Sequence, residues 1–222
     1  MTTEEGPILA GDSSQAATLV DIMRRRRSVR QFQSGPPVTR DTWRTIAQAA
    51  RWAPTGANTQ CWDLVIVDDP AVRKAVIEIF VEQSNRLFAN AKGFPAVDKS
   101  YLANTLAIFI VLGDPRWKVA FPQQGDDAKG PDEYTDNNES IYFCSIGAVV
   151  QNIQLAVTAM GLTSAWLSGG GEASTNQQLA DLLGYPSTFS ACGTIPVGYP
   201  KKDVKLRYRR PLEQLVHWNG YA

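Results

Sequence analysis

The chain has 222 residues, 44% of them hydrophobic, which is enough for one substantial core, and its 22 Lys and Arg are matched by 22 Asp and Glu. A net charge of zero excludes a global field that would draw the protein onto nucleic acid or anionic lipid, so any basic site must be local. Cys61, Cys144 and Cys192 are widely spaced and His217 is the one histidine, which argues against zinc and against a disulfide framework and suits a reducing compartment.

Residues 1–14 are polar, with no persistent period, and read as a tail or arm ahead of one domain spanning 15–222. Ala17, Val20, Ile22 and Met23 recur at helical spacing, predicting a helix from an N-cap at Ser14 to about Arg27. A turn at Gly35, Pro36 and Pro37 leads to a second helix. Thr39 is its N-cap, Trp43, Ile46, Ala47 and Ala50 are its buried stripe, and Pro54 stops it. "DLVIVDD" reads as a buried strand, "PAVRKAVIEIFVEQSNRLFAN" as a helix opened by proline, and "TLAIFIVLGD" as a second strand. The longest apolar run, Leu106 to Leu112, is too short to cross a bilayer, and no secretion leader is visible. The expectation is a soluble, cytoplasmic protein with no membrane partner.

Residues 116–139, rich in Asp, Gly, Pro and Gln, lack a clear period and are read as a lid or binding loop, an insert over about 114–139. "SIYFCSIGAVVQNIQLAVTAMGL" is apolar nearly all round, so that helix should be buried in a central bundle or against a partner subunit. "TSAWLSGGG" runs a short strand into three glycines, "NQQLADLLGYP" is a short helix closed by Gly184, and "FSACGTIPVGYP" is the last buried strand. Four or so strands among five or more helices make an α+β domain.

Four stretches carry chemistry. In "RRSVR", Arg26, Ser28 and Arg30 alternate, which in extended chain puts two guanidiniums and a hydroxyl on one side, a clamp shaped for phosphate oxygens. A second basic cluster, Arg207, Tyr208, Arg209 and Arg210, sits far along the chain, and the two could neutralise one phosphate monoester if they converge. Neither GxGxxG nor a P-loop is present, so side chains must hold the phosphate. Nucleic acid is disfavoured, because the chain as a whole carries no basic excess. "APTGANTQCW" supplies Pro54, Thr55, Gly56, Asn58 and Gln60, whose amides match a heterocycle with ring carbonyls and NH groups; a helix-ending turn with Asn58 bonding its own backbone fits equally. In "WLSGGG" the glycines would let a backbone NH approach a flat ligand, or form a flexible turn.

Together and in this order, "RRRSVRQF", "AARWAPTGANTQCWDLVIV", "GAVVQNIQLAVTAMGLTSAWLSG" and "IPVGYP" with "RYRRPLEQLVHW" resemble the nitroreductase superfamily of FMN-dependent oxidoreductases, over roughly Leu19 to Trp218. The resemblance implies a nitroreductase-like α+β fold: a mixed central sheet flanked by helices, in an intertwined homodimer with FMN at the subunit interface. Arg26, Arg27, Ser28 and Arg30 would then hold the FMN phosphate and pyrimidine edge, with Arg207 and Arg209 completing the phosphate site. Pro54, Thr55, Gly56, Asn58 and Gln60 would reach the flavin from the other subunit. Trp166, Leu167, Ser168 and Gly169 would lie beside the ring, and the backbone NH of Gly169 or Ser168 would donate to flavin N5, the catalytic contact. Ser168 stands where many NAD(P)H-using nitroreductases carry a glutamate.

The activity implied is ping-pong hydride transfer from NADH or NADPH through flavin N5 to an electron-poor small molecule such as a nitroaromatic or quinone. Phe94, Trp117, Phe121 and Tyr134 are candidate substrate contacts. Alternatives are a flavin-dependent dehydrogenase, oxidase or reductive dehalogenase of a specialised metabolite, and a non-catalytic flavin-binding protein.

Overall fold

The computed structural model describes residues 12–90, 99–116 and 131–221; side chains at 88, 90 and 131–136 fall outside that description. Helix α1, Ser13–Arg25, is capped two residues earlier than expected, because Asp12 and not Ser14 takes the free amides, accepting from Ser14 N–H at 2.7 Å and Gln15 N–H at 2.9 Å. Strand β1, Phe32–Gln33, is followed by α2, Arg40–Arg51, whose N-cap is Thr39 and whose buried residues are Trp43, Ile46 and Ala50. Strand β2, Trp62–Val67, α3, Pro70–Asn90, and β3, Ala107–Gly113, follow. Helix α4 spans Pro131–Ala159, β4 is Thr163–Ser164, α5 is Ala173–Leu183 with Gly184 left-handed at its end, and β5 is Ser190–Pro200.

Two expectations need correcting. The long apolar helix begins at Pro131, so the last third of the expected lid is helical, as a proline at the first helical position followed by Asp132 and Glu133 near the positive helix end would favour. Its stretch Asn137–Ala159 is long and apolar enough to cross a membrane by length and composition, which the strand-based reading missed. Here it is a core element: Tyr142, Ile146, Val149, Val150, Ile153 and Val157 are all buried.

The strand order is β1-β5-β3-β2, with β4 also on β5, and every ladder is antiparallel. The mixed character expected of the sheet is limited to an isolated parallel bridge between Ser28 and Ser164. Strand β3 is buried along its whole length because both faces are covered. Phe109 and Val111 meet α2 and α4 on one side, while Ile108, Ile110 and Leu112 meet α3 and α5 on the other.

The pairing at one sheet end positions the basic segments. Phe32 faces Pro200, Gln33 faces Tyr199, and Lys201 N–H donates to the Gln31 carbonyl at 2.9 Å. Because this pair is antiparallel, the chain entering β1 and the chain leaving β5 lie on the same side of it.

Candidate flavin-phosphate cleft

The two arginine clusters converge. A cleft of about 810 Å³ is lined by every residue from Arg26 to Gln31 and by Lys202 to Arg207 together with Arg209. Both parities of the first segment contribute, so the strict alternation read from "RRSVR" is not what shapes the cleft. Seven of the lining residues are cationic and one, Asp203, is acidic. The four-arginine run divides. Arg24 and Arg25 pair with Asp21 on the helix surface, whereas among the described residues Arg26, Arg27, Arg30, Arg207 and Arg209 form no ion pair. Desolvation, and then the charges of Arg27 and Arg209, pull the Arg26 guanidinium below its ordinary pKa. Arg27 Nε is buried without a partner. Arg30 reaches towards Tyr101, whose hydroxyl burial pushes up and the Arg30 charge pulls back.

The serine and glycine turn is tied to the same edge. Val29 N–H donates to the Ser164 carbonyl at 2.9 Å, and Ser164 leads through Trp166 and Leu167 to Ser168. Leu167 exchanges backbone hydrogen bonds with Thr194 at 2.8 and 3.0 Å, which fixes the chain just before the turn. Trp166 and Ser168 are exposed, Leu167 is buried and Gly169 is half-buried. The glycines serve internal packing here. A Cβ at Gly169 would lie 2.6 Å from Gln83 Oε1, and one at Gly170 would lie 2.9 Å from Thr194 Oγ1.

Within one chain, the loop from Pro54 to Gln60 lines no part of the cleft. It packs on α4, with Gly56 N–H donating to Ser145 Oγ at 3.1 Å and no room for a Cβ against Ile141. Ala57, Asn58 and Gln60 all have left-handed φ, at 48°, 54° and 48°. Three left-handed residues within four persist only where surrounding contacts hold the loop, here those to α4. Phe94, Trp117 and Phe121 lie outside the described residues, as does the side chain of Tyr134, whose backbone is in the first turn of α4.

The sequence reading missed Lys202 and Lys205, whose signal was the basic loop "KKDVK". It also missed Gln83 and Lys99, which no local pattern marks. Gln83, 1% exposed on α3, donates through Nε2 to the Gly169 carbonyl at 2.5 Å, and Lys99 Nζ donates to Gln83 Oε1 at 2.8 Å. Burial pulls the Lys99 ammonium below its usual pKa.

A family model described as "Nitroreductase family" matches residues 23–199. The chain belongs to the nitroreductase family. Among curated relatives, it is 29% identical over 206 residues to an iodotyrosine deiodinase of Nematostella vectensis, covering 91% of this chain and 75% of that protein. It is 27% identical over 208 residues to the human iodotyrosine deiodinase 1, covering 88% of this chain and 66% of the human protein, just short of two thirds of its length. In fold it matches nitroreductase A of Vibrio parahaemolyticus with TM-score 0.65 and 22% identity, over 92% of this chain and 77% of that one. The NADPH:FMN oxidoreductase of Vibrio harveyi, complexed with NAD+, matches with TM-score 0.64 and 21% identity, over 92% and 78%. These nitroreductase-fold neighbours bear out the α+β architecture.

Proposed function

We propose that the protein is an FMN-dependent oxidoreductase that works as a homodimer, with NADH or NADPH as electron donor. One observation carries this reading. Two basic segments, about 175 residues apart in sequence and without ion pairs among the described residues, meet in one cleft, and Val29 of the first is hydrogen-bonded to Ser164, four residues before Ser168. The residues present fit a phosphate-bearing flavin. The cleft volume lies within the roughly 300–1,000 Å³ of small-molecule sites, the crowded guanidiniums call for an anion, and the buried Arg27 Nε is an unused donor.

Arg26, Arg27, Arg207 and Arg209 would neutralise the phosphate, with Ser28 and Arg30 towards the pyrimidine edge. The N–H of Ser168 or Gly169 would donate to N5, and Trp166 and Leu167 would flank the ring. Bound there, FMN would supply the redox chemistry, taking hydride at N5 from the nicotinamide and returning two electrons to an electron-poor acceptor such as a nitroaromatic or quinone. A fixed N–H donor at that atom stabilises the charge that develops on reduction, and losing such a donor costs about 10²-fold or more in rate.

The homodimer is supported by what the single chain leaves uncovered. From Lys201 to Tyr221 every residue is exposed except His217, which is half-buried, and the segment carries Leu206, Tyr208, Leu212, Leu215 and Trp218. Helix α1 has no buried residue, and Phe143 on α4 is 53% exposed. Such a set of apolar side chains points to a partner surface. A second copy would also bring its Pro54–Gln60 loop to the flavin.

The test is the visible spectrum of the purified protein and its change under anaerobic NADH or NADPH. Bound flavin that bleaches, then recovers its colour with a nitroarene or quinone, is the expected result. Bound flavin that stays oxidised with both donors refutes the nicotinamide step. The deiodinase relatives favour a second reading, reductive dehalogenation: an aryl iodide, two electrons and one proton give the arene and iodide. Iodide release from an iodinated phenol by the reduced protein distinguishes it.

A further inference from the structure

We infer that Gln83 is a positioning residue for the Ser168–Gly169 turn and that Lys99 acts through it, projecting a positive charge onto the flavin site. The inference rests on the FMN reading above.

Three consecutive glycines give the turn more conformational freedom than any other tripeptide, so something outside it must hold its shape. Helix α3 does so at two points. Gln83 Nε2 donates to the Gly169 carbonyl, which also accepts Glu172 N–H at 3.2 Å. One turn further on, Arg86 Nη2 reaches Glu172 Oε2 at 3.0 Å and Thr175 Oγ1 at 3.3 Å. The bare Cα of Gly169 permits the first contact, because any Cβ would overlap the Gln83 amide.

The two anchors differ in charge. Arg86 is neutralised by Glu82 and Glu172. Lys99 has no carboxylate within 4 Å among the described residues; it sits 5.1 Å above the Phe80 ring and its ammonium donates to Gln83 Oε1. An ammonium can only donate and a carbonyl can only accept, so the orientation of the Gln83 amide between them is fixed. The result is a chain from cation through amide to the Gly169–Gly170 peptide, each bond polarising the next. A half-buried cation behind the turn, with no carboxylate partner among the described residues, favours the flavin state carrying more negative charge, which is the reduced one. A glutamine that merely satisfied a buried carbonyl would steady the turn without that preference.

The experiment measures FMN affinity by quenching of flavin fluorescence, and then the midpoint potential of the flavin-loaded protein by equilibration with redox dyes. Lys99→Met should bind oxidised FMN as the wild type does and reduced FMN about tenfold more weakly, a drop of about 30 mV for a two-electron couple. Lys99→Arg should restore the wild-type potential. Gln83→Glu pairs Lys99 internally and turns an acceptor towards the Gly169 carbonyl, so its potential should fall at least as far. Arg86→Met, which loosens the other anchor, should lower the melting temperature and leave the potential unchanged. Wild-type potentials in both Lys99→Met and Gln83→Glu with FMN bound would overturn the inference and leave the flavin reading standing. Wild-type protein that binds no FMN would overturn both, and the first titration reveals it.

Discussion

Replacing Arg26 with Met should move two properties in opposite directions. In the flavin-free protein Arg26 is partly desolvated, has no ion-pair partner among the described residues, and feels Arg27 and Arg209 as like charges. Removing it relieves repulsion. The side chain keeps enough solvent for the gain to be small, at most about 1 kcal/mol, or about 2–4 °C in melting temperature for a chain of this size. With FMN present, the same substitution deletes a charge-assisted hydrogen bond to phosphate. Such bonds contribute about 1.5–3 kcal/mol, so the dissociation constant should rise about tenfold to 150-fold. The assay is a thermal melt of the flavin-free protein beside a fluorescence titration with FMN, each at low and high salt. The penalty in affinity should shrink as salt screens the cleft. An Arg26→Met protein that melts earlier while binding FMN unchanged would refute the reasoning, because Arg26 would then be holding the fold and not an anion.

Three further outcomes are expected. Ala57→Gly should stabilise the protein by up to about 1 kcal/mol in chemical denaturation, since alanine at φ 48° is strained where glycine is not; a loss of stability would show that the loop's geometry is not under strain. Glu172 caps α5 by accepting from Ser174 and Thr175 N–H, and its carboxyl is held below its ordinary value of 4.5, first by the Thr175 hydroxyl bond. Glu172→Ala should therefore cost about 1 kcal/mol at neutral pH. A depressed carboxylate stabilises in full above its unfolded value and loses that stabilisation progressively as pH falls towards its folded one, so the gap between variant and wild type should narrow as pH falls below about 4.5. Deleting residues 204–222 should leave a folded body, because no described residue beyond Gly198 is buried, yet yield a monomer in sedimentation and remove Lys205, Arg207 and Arg209 from the cleft.

What the sequence made legible was local. Helix α3 starts at Pro70, as a proline at the first helical position favours, α2 has Thr39 at its N-cap position although that side chain makes no capping hydrogen bond, and β3 reads as a continuous apolar run because both of its faces are covered. The start of α4 was hidden because Asp132, Glu133 and Asp136 are polar, and polarity in a Gly- and Pro-rich neighbourhood resembles loop. Arg26 and Arg207 could be named from their residue types, but their meeting depends on the Phe32–Pro200 pairing, a contact between residues 168 positions apart that no window of sequence displays. Gln83 and Lys99 were invisible for the same reason. A lone glutamine in an amphipathic helix looks like solvent-facing polarity until the Gly169 carbonyl is placed against it.

The distribution of charge explains how a chain with no net charge can hold a strongly basic cleft. Among the described residues, seven acids are engaged in ion pairs away from the cleft: Asp21 with Arg24 and Arg25, Asp41 with Arg44, Asp68 with Arg40, Glu78 with Lys74, Asp114 with Arg116, and Glu82 and Glu172 with Arg86. Those acids are spent on cations outside the cleft and leave its field strong at short range, while the zero net charge and a Debye length of about 8 Å at physiological salt weaken it farther out. A phosphorylated ligand would thus be captured at short range after neutral diffusion, not steered from afar. Salt should act mainly on how fast FMN leaves, because the guanidiniums bear on it once it is bound, and only weakly on how fast it arrives. A steep salt dependence of the association rate would mean that the field of the cleft reaches FMN from beyond that distance, against this reasoning.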